Sequence, residues 1–194
     1  MQIDRRGSIA GCEDRHDRQS HIHQTGTRRV MVPLTAACIA AVAYTYAPLL
    51  GDPPSLVEQD LYTLFGAERG RVGECVPNKD RKTGEITSWD CGPFQINTGN
   101  GPALAKLFGT TPEEAMRRVT NDGCLNAHVA GWLLVEKRRA AKGDRHDALG
   151  RYNSATPGIK EAYQDLLERR RRQLFGDAAI PAARADGTAL GVAR

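Results

Sequence analysis

The chain has 194 residues, 40% hydrophobic and 26% charged. That balance allows one globular domain with appendages and excludes wholesale disorder. A formal net charge of +4 suits contact with an anionic polymer without saying which one.

Residues 1–29 are polar, rich in Arg, His and Asp, and show no apolar period; they are expected to be a disordered segment outside the fold. Arg28 and Arg29 close this segment, and an apolar run extends from Val30 to Leu50 with small residues at Ala41-Val42-Ala43. A basic flank, an apolar stretch and a small-x-small site read as a signal peptide. A run of about twenty apolar residues also suffices for an uncleaved inner-membrane anchor, with the two arginines held on the cytoplasmic side. Either reading sends the rest of the chain to the periplasm. The length of the polar extension suggests a true start downstream of Met1. The folded domain is expected over 51–176, with a flexible Ala- and Gly-rich tail over 177–194.

After Pro53-Pro54, the residues Leu56, Val57, Leu61, Leu64 and Phe65 recur at helical spacing, predicting a helix that carries the chain to Glu74, with a break at Gly66 or Gly70. Residues 76–90 are polar and contain the turn candidate Lys82-Thr83-Gly84; Ile86–Trp89 and Phe94–Ile96 suit two short strands of a hairpin. Thr111-Pro112-Glu113-Glu114 is a helix start, with a capping hydroxyl, proline in the first turn and Glu in the capping-box position. A longer helix follows over Asp122–Ala141 and ends at Gly143. A shorter one leads to Tyr152, and Thr156-Pro157 opens a last helix with Ile159, Tyr163, Leu166, Leu167 and Leu174 inward. Its basic run, Arg169–Arg172, reads as a solvated face. The chain has no aromatics interleaved on a basic face, so nucleic acid is not an expected partner. The fold class is therefore α+β, mainly α.

Five cysteines stand at 12, 38, 75, 91 and 124. None forms a CxxC pair and no His-rich spacing accompanies them, so neither a metal nor any other cofactor is expected. Cys75, Cys91 and Cys124 fall in the expected domain and allow one disulfide and one free thiol, with all three pairings open.

The chemistry concentrates in three places. Glu74 closes the first predicted helix. The run Asp90-Cys91-Gly92-Pro93-Phe94-Gln95-Ile96-Asn97 follows about sixteen residues later, and Tyr152-Asn153 comes late. A carboxylic acid can protonate a leaving oxygen near neutral pH only if burial keeps it neutral, and a Glu at a helix end facing an apolar wall suits that task. Gln95 can both donate to and accept from a sugar.

In order and spacing, these residues resemble the goose-lysozyme-like lytic transglycosylase domain. They are most similar to the small TrbN-type enzymes attached to conjugation and type IV secretion systems. The resemblance spans about residues 55 to 170. The family's catalytic Glu, usually followed by Ser-Gly, is matched to Glu74. Its Gly-Leu-Met-Gln-Ile-Asn run matches Gly92 to Asn97, its Asn-rich helix start matches Asn121 to Leu125, and its Tyr-Asn pair matches Tyr152 and Asn153. Cys75-Val76 departs from Ser-Gly, and Pro93-Phe94 from Leu-Met.

The resemblance implies a lysozyme-like helical domain with a small β-hairpin lining a cleft. It implies cleavage of the β-1,4 bond between N-acetylmuramic acid and N-acetylglucosamine in peptidoglycan, with a 1,6-anhydro product. Glu74 would act as acid and then base, and Phe94, Gln95, Asn97, Tyr152 and Asn153 would contact sugar. Components of a secretion apparatus would be partners. Asp90, as a second carboxylate, would instead allow hydrolysis, and a non-catalytic wall-binding scaffold would keep the fold without the chemistry.

Overall fold

A computed structural model describes residues 31–176; the expected N-terminal segment 1–29, Cys12 and the tail over 177–194 lie outside the described residues. Seven helices and three short strands follow one another as α1 (Ala36–Leu50), α2 (Pro54–Glu68), β1 (Cys75–Lys79), β2 (Ile86–Cys91), β3 (Ile96–Asn97), a 3-10 turn (Thr98–Asn100), α3 (Gly101–Phe108), α4 (Pro112–Asn121), α5 (Gly123–Ala140), α6 (Arg145–Asn153) and α7 (Ile159–Phe175). The described fold is thus mainly helical with one small antiparallel sheet, of strand order β1-β2-β3.

Most of the apolar run expected to be a signal or anchor forms helix α1, which packs into the core. Thr35 caps α1 by accepting from the Cys38 amide, and Gly51 ends it in the left-handed region at φ 72°. Ile39, Val42, Ala43 and Ala47 are buried in the same core as Val57, Leu61 and Leu64 of α2 and Ala127, Ala130 and Leu134 of α5. α1 lies close against α5 because Gly131 has no side chain: a Cβ there would sit 2.5 Å from the Tyr46 ring. Among the described residues, no helix is long and apolar enough to cross a membrane. A fully buried helix and a short membrane span share one composition, so the apolar run alone does not tell them apart.

Cys38 also changes the cysteine arithmetic. Cys38 pairs with Cys124 and Cys75 with Cys91, so the domain holds four paired cysteines rather than three with one free thiol. The first bridge ties α1 to the start of α5. The second joins directly opposed residues of β1 and β2.

Thr111 caps α4 as expected, accepting from the Glu114 amide, and Asp122 caps α5 by accepting from the Leu125 amide. Glu114 does not close a capping box, because Arg117 and Arg118 take its carboxylate. α3 was not foreseen, and in the last helix Ile159 and Leu174 are exposed rather than inward, whereas Tyr163 and Leu167 are buried. The basic run is not wholly solvated either. Arg171 is buried and shares the Asp60 carboxylate with Arg145, which joins α7, α6 and α2.

Candidate functional site

The site begins where α2 stops. Leu56, Val57, Leu61 and Leu64 set the buried face of this helix. Glu68 is its last residue, because Arg69 turns left-handed at φ 54° while its amide still donates to the Phe65 carbonyl. Gly70 then lets two turns touch. A Cβ at Gly70 would lie 2.0 Å from the Gly92 carbonyl oxygen and 2.4 Å from Gln95 Nε2, so the chain after Glu68 is pressed against the glutamine-bearing turn.

That turn is held from beneath by Asn126, which is fully buried. Its Oδ1 accepts from the Phe94 amide at 2.8 Å, and its Nδ2 donates to the Cys91 and Val119 carbonyls, each at 3.1 Å. Gly92 sits at φ 73°, and a Cβ there would meet Asn126 Nδ2 at 2.2 Å; glycine is required on both counts. Gln95 is itself left-handed at φ 49°, and its Nε2 donates back to the Gly92 carbonyl at 2.9 Å. The side chain is thus fixed by the turn that presents it.

The sheet supplies a wall of amides around one carboxylate. Because side chains alternate along a strand, Ser88 and Asp90 share a face of β2, with Asn78 opposite Ser88 and Asn97 opposite Asp90. Asn78 Nδ2 donates to Asp90 Oδ2 at 2.8 Å and Asn97 Nδ2 to Asp90 Oδ1 at 2.7 Å, while the Ser88 hydroxyl accepts from both amides. Both Asp90 oxygens therefore carry a hydrogen bond within the sheet.

Glu68, this amide wall, Gln95, Tyr152 and Asn153 line one cleft of about 430 Å³. Asn100, with Leu133 and Lys137 of α5, completes it. Glu68 is half-buried, and its carboxyl accepts a hydrogen bond from the Tyr163 hydroxyl. Loss of hydration raises its pKa to about 7; the Tyr163 hydrogen bond pulls the value down and the nearby Asp90 charge pushes it up further. Burial also pushes the Tyr163 and Tyr152 hydroxyls well above the usual tyrosine range, with the charge of Glu68 adding to the effect. Both phenols are therefore held as hydrogen-bond donors, and Tyr152 donates a hydrogen bond to the Phe94 carbonyl at 3.0 Å.

Gln95, Asn97, Asp90, Tyr152 and Asn153 thus come together as expected, but two expected site residues do not join them. Glu74 lies beyond the end of α2, in the turn before β1. Its side chain is 61% exposed and its nearest charge is Arg71, 3.8 Å away and exposed as well. It does not line the cleft. Its place is fixed by its backbone, whose carbonyl accepts from the Gly92 amide at 2.9 Å. Phe94 is completely buried and packs on Phe65 with ring centroids 5.9 Å apart, so it supports the turn and offers no surface to a ligand.

Glu68 is the cleft carboxyl that the sequence analysis did not name. One signal pointed to it: Gly70 is one of the two breaks expected in the helix, and a helix-end Glu stands just before it. Among the described residues, no three His, Cys, Asp or Glu side chains gather into a group that could hold a metal. Compared with family models and with curated proteins, the chain finds no match.

Proposed function

We propose that this protein is a peptidoglycan lytic transglycosylase with Glu68, not Glu74, as its acid and base. The observation that carries the reading is Glu68 itself. It is a helix-end carboxyl whose pKa is raised to about 7 by burial, opening on a polar cleft lined by Gln95, Asn97 and Tyr152. Near neutral pH such a group holds its proton in about half of the molecules, which suits an acid that must first give a proton and then take one.

Glu68 would protonate the oxygen between N-acetylmuramic acid and N-acetylglucosamine, and the C1–O bond would break. The substrate's own acetamido group would stabilise the cationic C1. The carboxylate left behind would then remove the proton from the muramic C6 hydroxyl as that oxygen bonds to C1, closing the anhydro ring and restoring the acid. Substrate-assisted chemistry of this kind needs one carboxylate rather than two. Gln95 and the sheet amides offer donors and acceptors to sugar hydroxyl and acetamido groups.

A hydrolytic muramidase is the second reading, and Asp90 favours it by lining the same cleft within electrostatic reach of Glu68. Against it, both Asp90 oxygens are engaged by Asn78 and Asn97, which suits a fixed charge more than a nucleophile. The two disulfides suit an oxidising compartment such as the periplasm. With the resemblance, they support a role in opening the wall locally for a conjugation or type IV secretion apparatus.

Mass spectrometry of peptidoglycan digested by the purified chain tests these readings. Anhydro-muramyl ends are the expected product. Reducing ends would transfer the assignment to hydrolysis with Asp90. Release of no glycan at all would leave the non-catalytic scaffold.

A further inference from the structure

Sugar hydroxyls and acetamido groups are neutral, and the Asn, Gln and Ser side chains of the cleft answer them with neutral donors and acceptors. Beyond the carboxyls of Glu68 and Asp90, one charged group stands outside that scheme. Lys137 sits one helical turn after Leu133 on α5, and both line the cleft. It is the one cation among the described residues of that lining.

Its neighbours on the helix are all engaged. Arg138 bonds Asp52 and the Leu50 and Gly143 carbonyls, and Arg139 pairs with Glu136. The Lys137 ammonium, half-buried, has no hydrogen bond or ion pair within the described residues. A compact cation with three free donors, standing in a ligand cleft, recognises a negative charge on what binds there.

We propose that Lys137 is a specificity-determining residue that pairs with a carboxylate carried by the lactyl arm of the muramic sugar. The assignment rests on the glycan-cleaving reading and deepens it. The carboxylate has two chemical sources: the peptide stem attached to that arm, or the lactyl group itself once the stem has been removed.

The test separates recognition from catalysis. Binding is measured in the Glu68→Gln background, so that strands stay intact, with and without Lys137→Gln, while cleavage by the wild-type chain is followed in parallel. The ligands are stem-bearing glycan strands, strands stripped by an amidase, and a neutral oligomer of N-acetylglucosamine. Lys137→Gln is expected to weaken the carboxylate-bearing ligands by roughly tenfold, the scale of one charged hydrogen bond. The neutral oligomer should weaken by much less, and Lys137→Arg should restore most of the difference. A larger loss on stem-bearing strands assigns the stem carboxylate, and a larger loss on stripped strands assigns the lactyl one. Equal losses on all three ligands, or no loss on any, would overturn the assignment while leaving the catalytic reading intact. Discrimination in binding with no cleavage by the wild-type chain would overturn the catalytic reading and leave Lys137 as a reader of anions.

Discussion

Asp60 and Glu68 lie two turns apart on α2, both withdrawn from water, and the fold treats them in opposite ways. Asp60 is surrounded by cations: Arg145 reaches it with Nε at 2.8 Å and with Nη2, and Arg171 donates to the same carboxylate. Glu68 has no ion pair among the described residues and is met by a neutral phenol, Tyr163. Burial alone therefore does not mark a functional acid. A buried carboxylate answered by guanidinium groups is a structural tie between helices. One answered only by a hydroxyl, with an open cleft on its other side, keeps the cost of its charge and so keeps its proton to a higher pH.

The sharpest way to break that contrast is to neutralise each acid in turn. Glu68→Gln should reduce glycan release by roughly 10²- to 10⁴-fold, the range a positioned general acid supplies, and should leave the protein folded. Asp60→Asn should do the reverse. It strands two buried arginines opposite a neutral amide and should cost about 3–5 kcal/mol of stability, read as a lower midpoint in urea unfolding. If Asp60→Asn left the midpoint unchanged, or if Glu68→Gln kept full activity, the distinction drawn between them would fail.

The same contrast predicts a pH dependence with a definite sign. The pKa of Glu68 is raised from 4.5 to about 7 on folding, so the folded state holds the proton more tightly than the unfolded chain. The stability this contributes is fully present below about pH 4.5 and is lost as pH rises through about 7. The penalty approaches about 3 kcal/mol on the alkaline side. Glu68→Gln has no such proton to lose. Its thermal midpoint should therefore gain on that of the wild type between pH 5 and pH 8, and parallel curves would show that Glu68 is solvated. Tyr163→Phe tests the partner. The lost hydrogen bond stabilises the charged form of Glu68, so its removal raises the pKa further, and the alkaline limb of the activity profile should move to higher pH.

What could be read from the sequence followed from local chemistry. Thr111 and Asp122 cap helices, and their residue types and positions announce it. The turn at Gly92 follows from its left-handed backbone, but the strand expected over Phe94–Ile96 begins only at Ile96, because Phe94 and Gln95 stay in that turn; Tyr152 and Asn153 close a short helix as the spacing suggests. What could not be read depended on long-range contact. β1 is polar and carries Pro77, so it lacks strand composition and pairs only because β2 and the Cys75–Cys91 bridge hold it. The packing of α1 in the core could not be read from its own apolar composition, because its partners, α2 and α5, come later in the chain. The helix end was expected six residues late, at Glu74 rather than Glu68, because the stop at Arg69 is set by the touch of Gly70 on Gly92 and Gln95, a contact spanning more than twenty residues of sequence.

The smallest expected effect is the one that tests the relocated acid most directly. Glu74 is exposed, its one ion pair is with an exposed arginine 3.8 Å away, and surface pairs of this kind contribute roughly 0–1 kcal/mol. Its structural role is borne by its backbone carbonyl, which any side chain retains. Glu74→Gln should therefore leave glycan release within about twofold of wild type and the unfolding midpoint nearly unmoved. Activity of Glu74→Gln on purified peptidoglycan, measured beside Glu68→Gln, makes the comparison direct. A collapse of activity in the Glu74 variant would return the acid to the turn before β1. The cleft lined by Glu68 and Tyr152 would then be left without its chemistry.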